Sequence, residues 1–211
     1  MLKDILQQTK AQAQIKMPKE VMESFEQLTQ ELKESSLLEK APKVGDLLPL
    51  FSLPNAMGKR ISSDDYRQKG QSLILCFYRG GWCPYCNLEL KAYQNLLQDI
   101  HEKGAEFIAI SPELPDTSLS LVEKQELKFE VLSDVDNAYA KKLGLVFELN
   151  EKVKAIYKKS ATDFQKTQGN ERYELPVPAT LVVNPKGEIV YIFADVDYTK
   201  RAEPMEVLSY L

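Results

Sequence analysis

Two cysteines separated by two residues constrain this chain more than any other feature of its sequence. Cys83 and Cys86 follow the apolar run 72–78, which has the length of a buried strand, and a helical pattern begins directly after them. A close cysteine pair on a turn between a strand and a helix is typical of redox chemistry rather than of a structural disulfide framework. The sequence therefore predicts a thiol oxidoreductase.

The predicted start of the helix favours Cys83 as the nucleophile of the pair. A helix N-terminus offers N–H groups without intrahelical partners and the positive end of the helix dipole, and both lower the pKa of a thiol. Cys86 lies one turn into the helix, where it could attack a mixed disulfide or a sulfenic acid on Cys83. We predict that Cys83 is the reactive thiol, alkylated first, and that Cys86 is the resolving thiol.

A zinc site is the main alternative for such a pair. Zinc needs four ligands, and only Cys76 and His101 remain as cysteine or histidine candidates. Cys76 lies inside the predicted strand and is interpreted as a core residue, whereas His101 is interpreted as a cation at a helix end. We therefore expect neither a metal nor a bound cofactor.

Two neighbours of the pair and one distant proline are further candidates for the site. Arg79 would favour a thiolate through its charge, although a solvated loop arginine is an equal alternative. Trp82 either shields the pair, as a candidate substrate-binding residue, or simply packs. Pro178 directly precedes an apolar run, and only X–Pro bonds adopt the cis form at low cost. We predict a cis Pro178 that lies beside Cys83.

Two glycines before the pair are candidates for contacting a substrate. Gly80 and Gly81 would let the backbone approach a small ligand closely. The N–H groups from Gly81 onward are predicted to donate to a bound peroxide. A threonine in place of Gly80 could be accommodated only if φ at this position is not positive.

The apolar runs along the chain predict an α/β fold. The predicted order is β-α-β-α-β, then a helix, a β-hairpin and a last helix, which gives a mixed central sheet with flanking helices. The hairpin joins the runs 180–184 and 188–194 through an Asn-Pro-Lys-Gly turn. One continuous helical stretch is expected from the cysteine pair to Gly104.

Residues 1–40 predict an N-terminal helical extension, ahead of a main domain over residues 41–211. Apolar residues such as Val21, Phe25 and Leu28 recur there at helical spacing. This apolar face either packs on its own domain or forms a contact in a homodimer.

The composition excludes two classes of partner. The net charge is -4 and the charges are mixed along the sequence, which argues against nucleic-acid binding. No run approaches the roughly 18 apolar residues of a membrane span, and no apolar secretion signal is visible at the N-terminus. We expect no membrane partner and a cytoplasmic protein.

Four stretches carry a resemblance to a known family. The chain resembles the thioredoxin-fold redoxins, and among them the peroxiredoxins of the alkyl hydroperoxide reductase/thiol-specific antioxidant (AhpC/TSA) family. The stretches are residues 44–59, 82–86, 131–134 and 178–180. The resemblance covers about residues 41–194, and it implies a thioredoxin fold with a hairpin near its start.

This resemblance implies a thiol peroxidase. Cys83 would reduce hydrogen peroxide or organic hydroperoxides, Cys86 would resolve the product, and thioredoxin or glutathione would reduce the resulting disulfide. Peroxiredoxins also use a distal arginine to hold the thiolate and the peroxide oxygens, since a guanidinium suits paired oxygen acceptors. Arg201 is the candidate for that role, with a surface arginine as the alternative.

The sequence departs from the family pattern at two positions. Peroxiredoxins carry Thr or Ser three residues before the reactive cysteine and Pro seven residues before it, whereas this chain has Gly80 and Cys76. The missing hydroxyl favours another function, a disulfide reductase that uses the same pair. Residues 1–40 leave open a third function, a non-enzymatic redox sensor whose disulfide moves the N-terminal helix. We predict a modest peroxidase activity that depends on Cys83.

Overall fold

The computed structural model describes all 211 residues and contains nine strands. The strands are β1 (Ser52–Pro54), β2 (Arg60–Ser62), β3 (Ser72–Phe77), β4 (Ala105–Ser111), β5 (Glu130–Ser133), β6 (Val146–Glu148), β7 (Glu174–Pro176), β8 (Ala179–Val183) and β9 (Ile189–Ala194).

Ten α-helices accompany the strands. They are α1 (Leu2–Lys16), α2 (Lys19–Glu34), α3 (Ser63–Gln68), α4 (Pro84–Gln94), α5 (Leu97–Glu102), α6 (Pro115–Gln125), α7 (Ala138–Lys142), α8 (Glu151–Lys158), α9 (Phe164–Gln168) and α10 (Pro204–Val207). None of them is long and apolar enough to cross a membrane.

The central sheet has five strands in the order β5-β4-β3-β8-β9. Strand β3 lies in the middle, parallel to β4 and antiparallel to β8, and β8 forms the predicted hairpin with β9. β1 and β2 form a separate antiparallel hairpin, as the resemblance implied. The predicted mixed sheet of a thioredoxin fold is therefore confirmed.

Helices cover both faces of this sheet. Because side chains alternate along a strand, Ile74 and Cys76 of β3 point into one core cluster, which also contains Leu90 of α4. Leu75 and its alternate neighbours point into a second cluster, which contains Tyr139 of α7. The end of β3 and the start of α4 are thus held between two packed layers.

The N-terminal extension is two helices rather than one, with Pro18 as the N-cap of α2. Leu2 and Leu6 of α1 are buried in the main core, and Phe25 and Leu28 of α2 are buried in a third cluster. Of the two alternatives for the apolar face, packing against the chain's own body is the one observed. The homodimer contact and the boundary after residue 40 stay predictions.

Two parts of the fold differ from the sequence-based expectation. The helix after the cysteines ends at Gln94, and a new helix begins at Leu97, because Leu96 between them leaves the helical conformation (ψ 8°). Residues 145–176 also carry the β6–β7 ribbon and two short helices that the sequence did not indicate.

Candidate active site

The cysteine pair lies at the start of α4, after the loop that follows β3. Cys83 is the N-cap residue of α4 and Pro84 is its first helical residue. Two hydrogen bonds fix the loop before them. The Cys83 N–H donates to the Gly80 carbonyl oxygen (3.1 Å), and the Asn87 side-chain amide donates to the Gly81 carbonyl oxygen (2.8 Å). The predicted placement of Cys83 at a helix start is confirmed.

Arg79 supplies the positive charge of the site. Its Nη2 donates to Cys83 Sγ over 3.1 Å, and both residues are buried. The guanidinium lies over the rings of Tyr198 and Trp82, with centroid distances of 4.0 and 5.1 Å, and it forms no ion pair with a carboxylate. A buried charge needs a counter-charge, so an ionised Cys83 is the natural partner of Arg79.

The two cysteines have opposite pKa shifts, although both are buried free thiols. Burial by itself raises the pKa of Cys83, but a hydrogen bond from Cys86 and the charges of Arg79 and Arg201 hold it well below its usual value. Burial and the neighbouring Cys83 thiolate raise the pKa of Cys86 well above its usual value. The opposite shifts make Cys83 the more acidic thiol of the pair, as expected of the nucleophile, and Cys86 the less acidic one.

Arg201 lies on the Cys86 side of the pair, not on the surface. Its Nη2 donates to Cys86 Sγ (3.3 Å), and its Nε donates to Glu89 Oε2 (2.5 Å). Nη1 donates to the carbonyl oxygens of Tyr198 and Lys200, both at 2.6 Å. These bonds occupy most of its N–H groups, so its direct partner is Cys86 rather than the thiolate of Cys83.

Glu89 is a site neighbour that the sequence reasoning missed. Both Glu89 and Arg201 are almost fully buried, and the Thr180 hydroxyl donates to Glu89 Oε1 (3.3 Å). Burial raises the pKa of Glu89, and the Arg201 charge opposes that shift. A signal was present, because Glu89 interrupts the apolar stripe of α4 on the same face as Cys86 and Leu90.

Glu113 is a second missed carboxyl group, and it lies against the loop of the two glycines. Its Oε2 accepts a hydrogen bond from the Gly81 N–H (2.8 Å). Burial raises its pKa to about 7. Glu113 follows β4, whose carboxyl end meets the same sheet edge as that of the parallel strand β3, and this position was the available signal.

Three expectations about the site are corrected by the structure. The prediction that Pro178 is cis is wrong, since the chain has no cis peptide bond. Val177 and Pro178 connect β7 to β8, and the Val177 N–H donates to the Leu145 carbonyl oxygen (2.7 Å). The Gly81 N–H is not free for a substrate because Glu113 occupies it. The solvated alternative for Arg79 is also wrong, because Arg79 is buried.

The remaining residues discussed from the sequence are Trp82, Cys76 and His101. Trp82 is half-buried and packs edge-on against Tyr157 at 5.4 Å, while one face meets the Arg79 guanidinium. Cys76 is fully buried in β3, as expected for a core residue, where burial raises its pKa. His101 pairs with the Glu106 carboxylate (3.1 Å) at the end of α5.

Comparison with known proteins identifies the family. A model of the AhpC/TSA family matches residues 44–192. The chain belongs to the AhpC/TSA family. It is 33% identical over 121 residues to the protein described as peroxiredoxin bcp in Buchnera aphidicola, which is 56% of this chain and 75% of that protein. It is 28% identical over 103 residues to peroxiredoxin Bcp of Escherichia coli, which is 49% of this chain and 65% of that protein.

Solved structures support the same fold. Peroxidoxin BcpB from Mycobacterium tuberculosis superimposes with a TM-score of 0.62 at 17% identity, covering 80% of this chain and 95% of that chain. A Xylella fastidiosa PrxQ mutant gives 0.60 at 20% identity, covering 79% and 93%. These structures show the fold. The family model and the similarity to the Bcp peroxiredoxins confirm the sequence-based prediction of an AhpC/TSA protein with thiol peroxidase activity.

In this AhpC/TSA protein, the departure at Gly80 has a structural reason. Gly80 has φ +151°, and a Cβ atom placed there would lie 2.4 Å from Trp82 Nε1 and 2.9 Å from Glu113 Oε1. A Thr or Ser at this position would be strained by the positive φ and would force Trp82 and Glu113, which fills the space beside Gly80, to shift.

Proposed function

We propose that this chain reduces hydroperoxides through Cys83, with Cys86 as the resolving thiol. The observation that carries the proposal is the buried Arg79 guanidinium 3.1 Å from Cys83 Sγ, without a carboxylate to neutralise it. Such a cation holds the sulfur as a thiolate, which is the form that attacks.

The first step oxidises the sulfur and reduces the peroxide. The Cys83 thiolate attacks one peroxide oxygen, an S–O bond forms as the O–O bond breaks, and the departing oxygen takes a proton to leave as water or an alcohol. Arg79 is suited to stabilise the charge that develops on the oxygens, because its Nε is buried and has no acceptor within the protein. Cys83 becomes a sulfenic acid.

Glu113 is our candidate for the proton donor in place of the absent hydroxyl. With a pKa of about 7, it is partly protonated at neutral pH. A protonated carboxyl group can donate a hydrogen bond and then a proton to the departing oxygen, and catalytic acids work best with a pKa near the working pH.

The second step closes a disulfide between the two cysteines. The Cys86 sulfur loses its proton and attacks the sulfenic sulfur, and the hydroxyl group leaves as water. The positive charge of Arg201, 3.3 Å from Cys86 Sγ, favours this deprotonation. Two thiol groups of a donor then reduce the disulfide and are themselves oxidised to a disulfide. We propose the dithiol of thioredoxin, with two molecules of glutathione as the alternative, in the cytoplasm, where such systems keep thiols reduced.

Stopped-flow oxidation by hydrogen peroxide tests the proposal. Cys83→Ser should abolish the reaction. Cys86→Ser should keep the first oxidation but lose turnover with thioredoxin or glutathione, and it should accumulate sulfinic acid or mixed disulfides. Cys76→Ala is the matched control, since this thiol lies outside the pair, and it should keep turnover.

Two outcomes would overturn the proposal. One is a Cys83 thiol that reacts with peroxide no faster than free cysteine at the same pH. The other is reduction of an insulin-type disulfide by a protein that does not consume peroxide, which would favour the disulfide-reductase alternative. Formation of the disulfide without turnover by either donor would favour a redox sensor.

A further inference from the structure

Each of the two paired cysteines has a guanidinium group of its own. Arg79 Nη2 donates to Cys83 Sγ at 3.1 Å, and Arg201 Nη2 donates to Cys86 Sγ at 3.3 Å. Both arginine side chains and both sulfurs are buried. A cation at this distance favours the ionised form of either thiol, so the presence of an arginine does not explain why the two thiols differ in acidity.

A carboxylate distinguishes the two arginines. Glu89 Oε2 accepts a hydrogen bond from Arg201 Nε at 2.5 Å, and both side chains are almost fully buried. A buried guanidinium needs a counter-charge, and Glu89 supplies it to Arg201. No carboxylate pairs with Arg79, which has only the sulfur of Cys83 for this purpose.

The other titratable groups around the ion pair and Cys86 do not add charge near neutral pH. Apart from Arg79 and Cys83, they are one thiol and three phenols: Cys76, Tyr78, Tyr85 and Tyr93. Burial raises the pKa of each of these four groups, so they stay protonated. The Thr180 hydroxyl, which donates to Glu89 Oε1, is neutral.

Charged groups on the neighbouring elements are engaged elsewhere. Lys10 of α1, the helix that packs against α4, pairs with Asp197 (3.5 Å). Lys200 pairs with Asp195 (2.8 Å). The Glu203 carboxylate accepts hydrogen bonds from two N–H groups at the start of α1, both at 3.1 Å. The carboxylate that pairs with Arg201 is therefore Glu89.

We propose that Glu89 assigns the roles of the two cysteines by largely neutralising Arg201, so that Cys86 keeps its proton while Cys83, beside the unneutralised Arg79, is the sulfur that attacks. Glu89 is a positioning residue, since it acts on Cys86 through Arg201. This inference rests on the proposed function and adds the reason for the order in which its two thiols react.

The position of the cysteines on α4 provides a rival explanation. Cys83 is the N-cap of α4 and Cys86 lies one turn into the helix, so the helix N-terminus also favours ionisation of Cys83. If the helix N-terminus alone set the roles, removing the charge of Glu89 would leave the acidity of Cys86 unchanged.

Glu89→Gln removes the charge but keeps the size of the side chain and an acceptor oxygen for Arg201. The rate of Cys86 alkylation against pH is measured in a Cys83→Ser background, where Cys86 is the only thiol of its tryptic peptide. Adding Glu89→Gln should lower the pKa of Cys86 by about 1–3 units, the usual effect of an opposite charge close to a titratable group. In a Cys86→Ser background, the pKa of Cys83 should change less, because Arg79 remains its partner.

Glu89→Asp is the conservative control, and it should preserve the pKa of Cys86 because it keeps the negative charge. The double substitution Glu89→Gln/Arg201→Gln removes both charges together, and it tests the proposal even if Glu89→Gln alone does not fold, which circular dichroism would show. It should move the pKa of Cys86 far less than Glu89→Gln does, because the two charges largely cancel in the wild type.

Three results would overturn the proposal. The pKa of Cys86 could stay the same in Glu89→Gln, it could fall as far in Glu89→Asp as in Glu89→Gln, or it could rise in the double variant by as much as it is expected to fall in Glu89→Gln. Alkylation needs no peroxide, so failure of the proposed function is a separate result. A Cys83 thiol that does not react with peroxide would overturn the peroxidase mechanism, whereas a lowered Cys86 pKa in Glu89→Gln would still support the role of Glu89.

Discussion

Replacing Arg79 with Gln tests whether its charge keeps Cys83 ionised. The guanidinium Nη2 lies 3.1 Å from Cys83 Sγ, both groups are buried, and no carboxylate shares the charge. A hydrogen bond to a charged group contributes about 1.5–3 kcal/mol. Since about 1.4 kcal/mol corresponds to one pKa unit, we expect the pKa of Cys83 to rise by about 1–2 units in Arg79→Gln.

The assay is the rate of alkylation of Cys83 against pH, followed by mass spectrometry of the peptide that contains it. Arg79→Lys is the matched control, because it keeps the charge while losing the planar guanidinium, and it should preserve part of the lowered pKa. Circular dichroism checks that both variants fold. A Cys83 pKa that is the same in Arg79→Gln and the wild type would refute the electrostatic account of the site.

The same substitution should alter the dependence of stability on pH. The pKa of Cys83 is lower in the folded than in the unfolded chain, so its ionisation stabilises the fold in full only above the unfolded pKa of about 8.5. This contribution is lost as the pH falls through the folded pKa. The free energy of unfolding should therefore increase with pH in the wild type, and it should increase less in Arg79→Gln.

Three further substitutions test other parts of the site. Gly80→Ala should destabilise the fold by about 1–3 kcal/mol in urea unfolding, because the new Cβ would lie 2.4 and 2.9 Å from neighbouring side-chain atoms. Gly104 also has a positive φ but has open space around it, so Gly104→Ala should destabilise the fold less. An equal loss of stability in the two variants would contradict the steric explanation. The wild-type kcat/KM for peroxide should fall as the pH rises through about 7, where Glu113 loses its proton. Glu113→Gln should lack this decline. If the pH profiles of the wild type and Glu113→Gln superimpose, Glu113 is not the proton donor. Glu89→Met should lower the free energy of unfolding in urea by about 3–5 kcal/mol, because it leaves the Arg201 charge buried and unpaired. The double variant Glu89→Met/Arg201→Met should recover most of that loss. If the losses of the two single substitutions simply add in the double variant, the ion pair does not account for them.

The sequence predicted the central sheet because β3, β4, β8 and β9 are runs of five to seven mostly apolar residues. Strand β3 and the β8–β9 hairpin were recognisable from their runs and turn residues. The β6–β7 ribbon was not, since strands of three residues carry too little pattern. The break at Leu96 was also hidden, because apolar residues continue on the same stripe through it.

The site was predictable where its residues are neighbours in the sequence. Cys83, Cys86 and Arg79 lie within eight positions, so one loop brings them together. The error at Pro178 arose because cis and trans X–Pro bonds differ by only about 0.5–1 kcal/mol, which a sequence motif does not resolve.

The complete burial of both sulfurs makes entry to the site a kinetic step of its own. Cys83 and Cys86 expose no surface in the reduced protein, so a dissolved oxidant meets the thiolate only when the loop before α4 or a side chain above it moves aside. The rate of oxidation should then level off at high peroxide concentration, at the frequency of this opening, as in other reactions that are gated by a loop. Solvent viscosity and loop rigidity would set that plateau, whereas the charge on the sulfur would set the slope at low concentration.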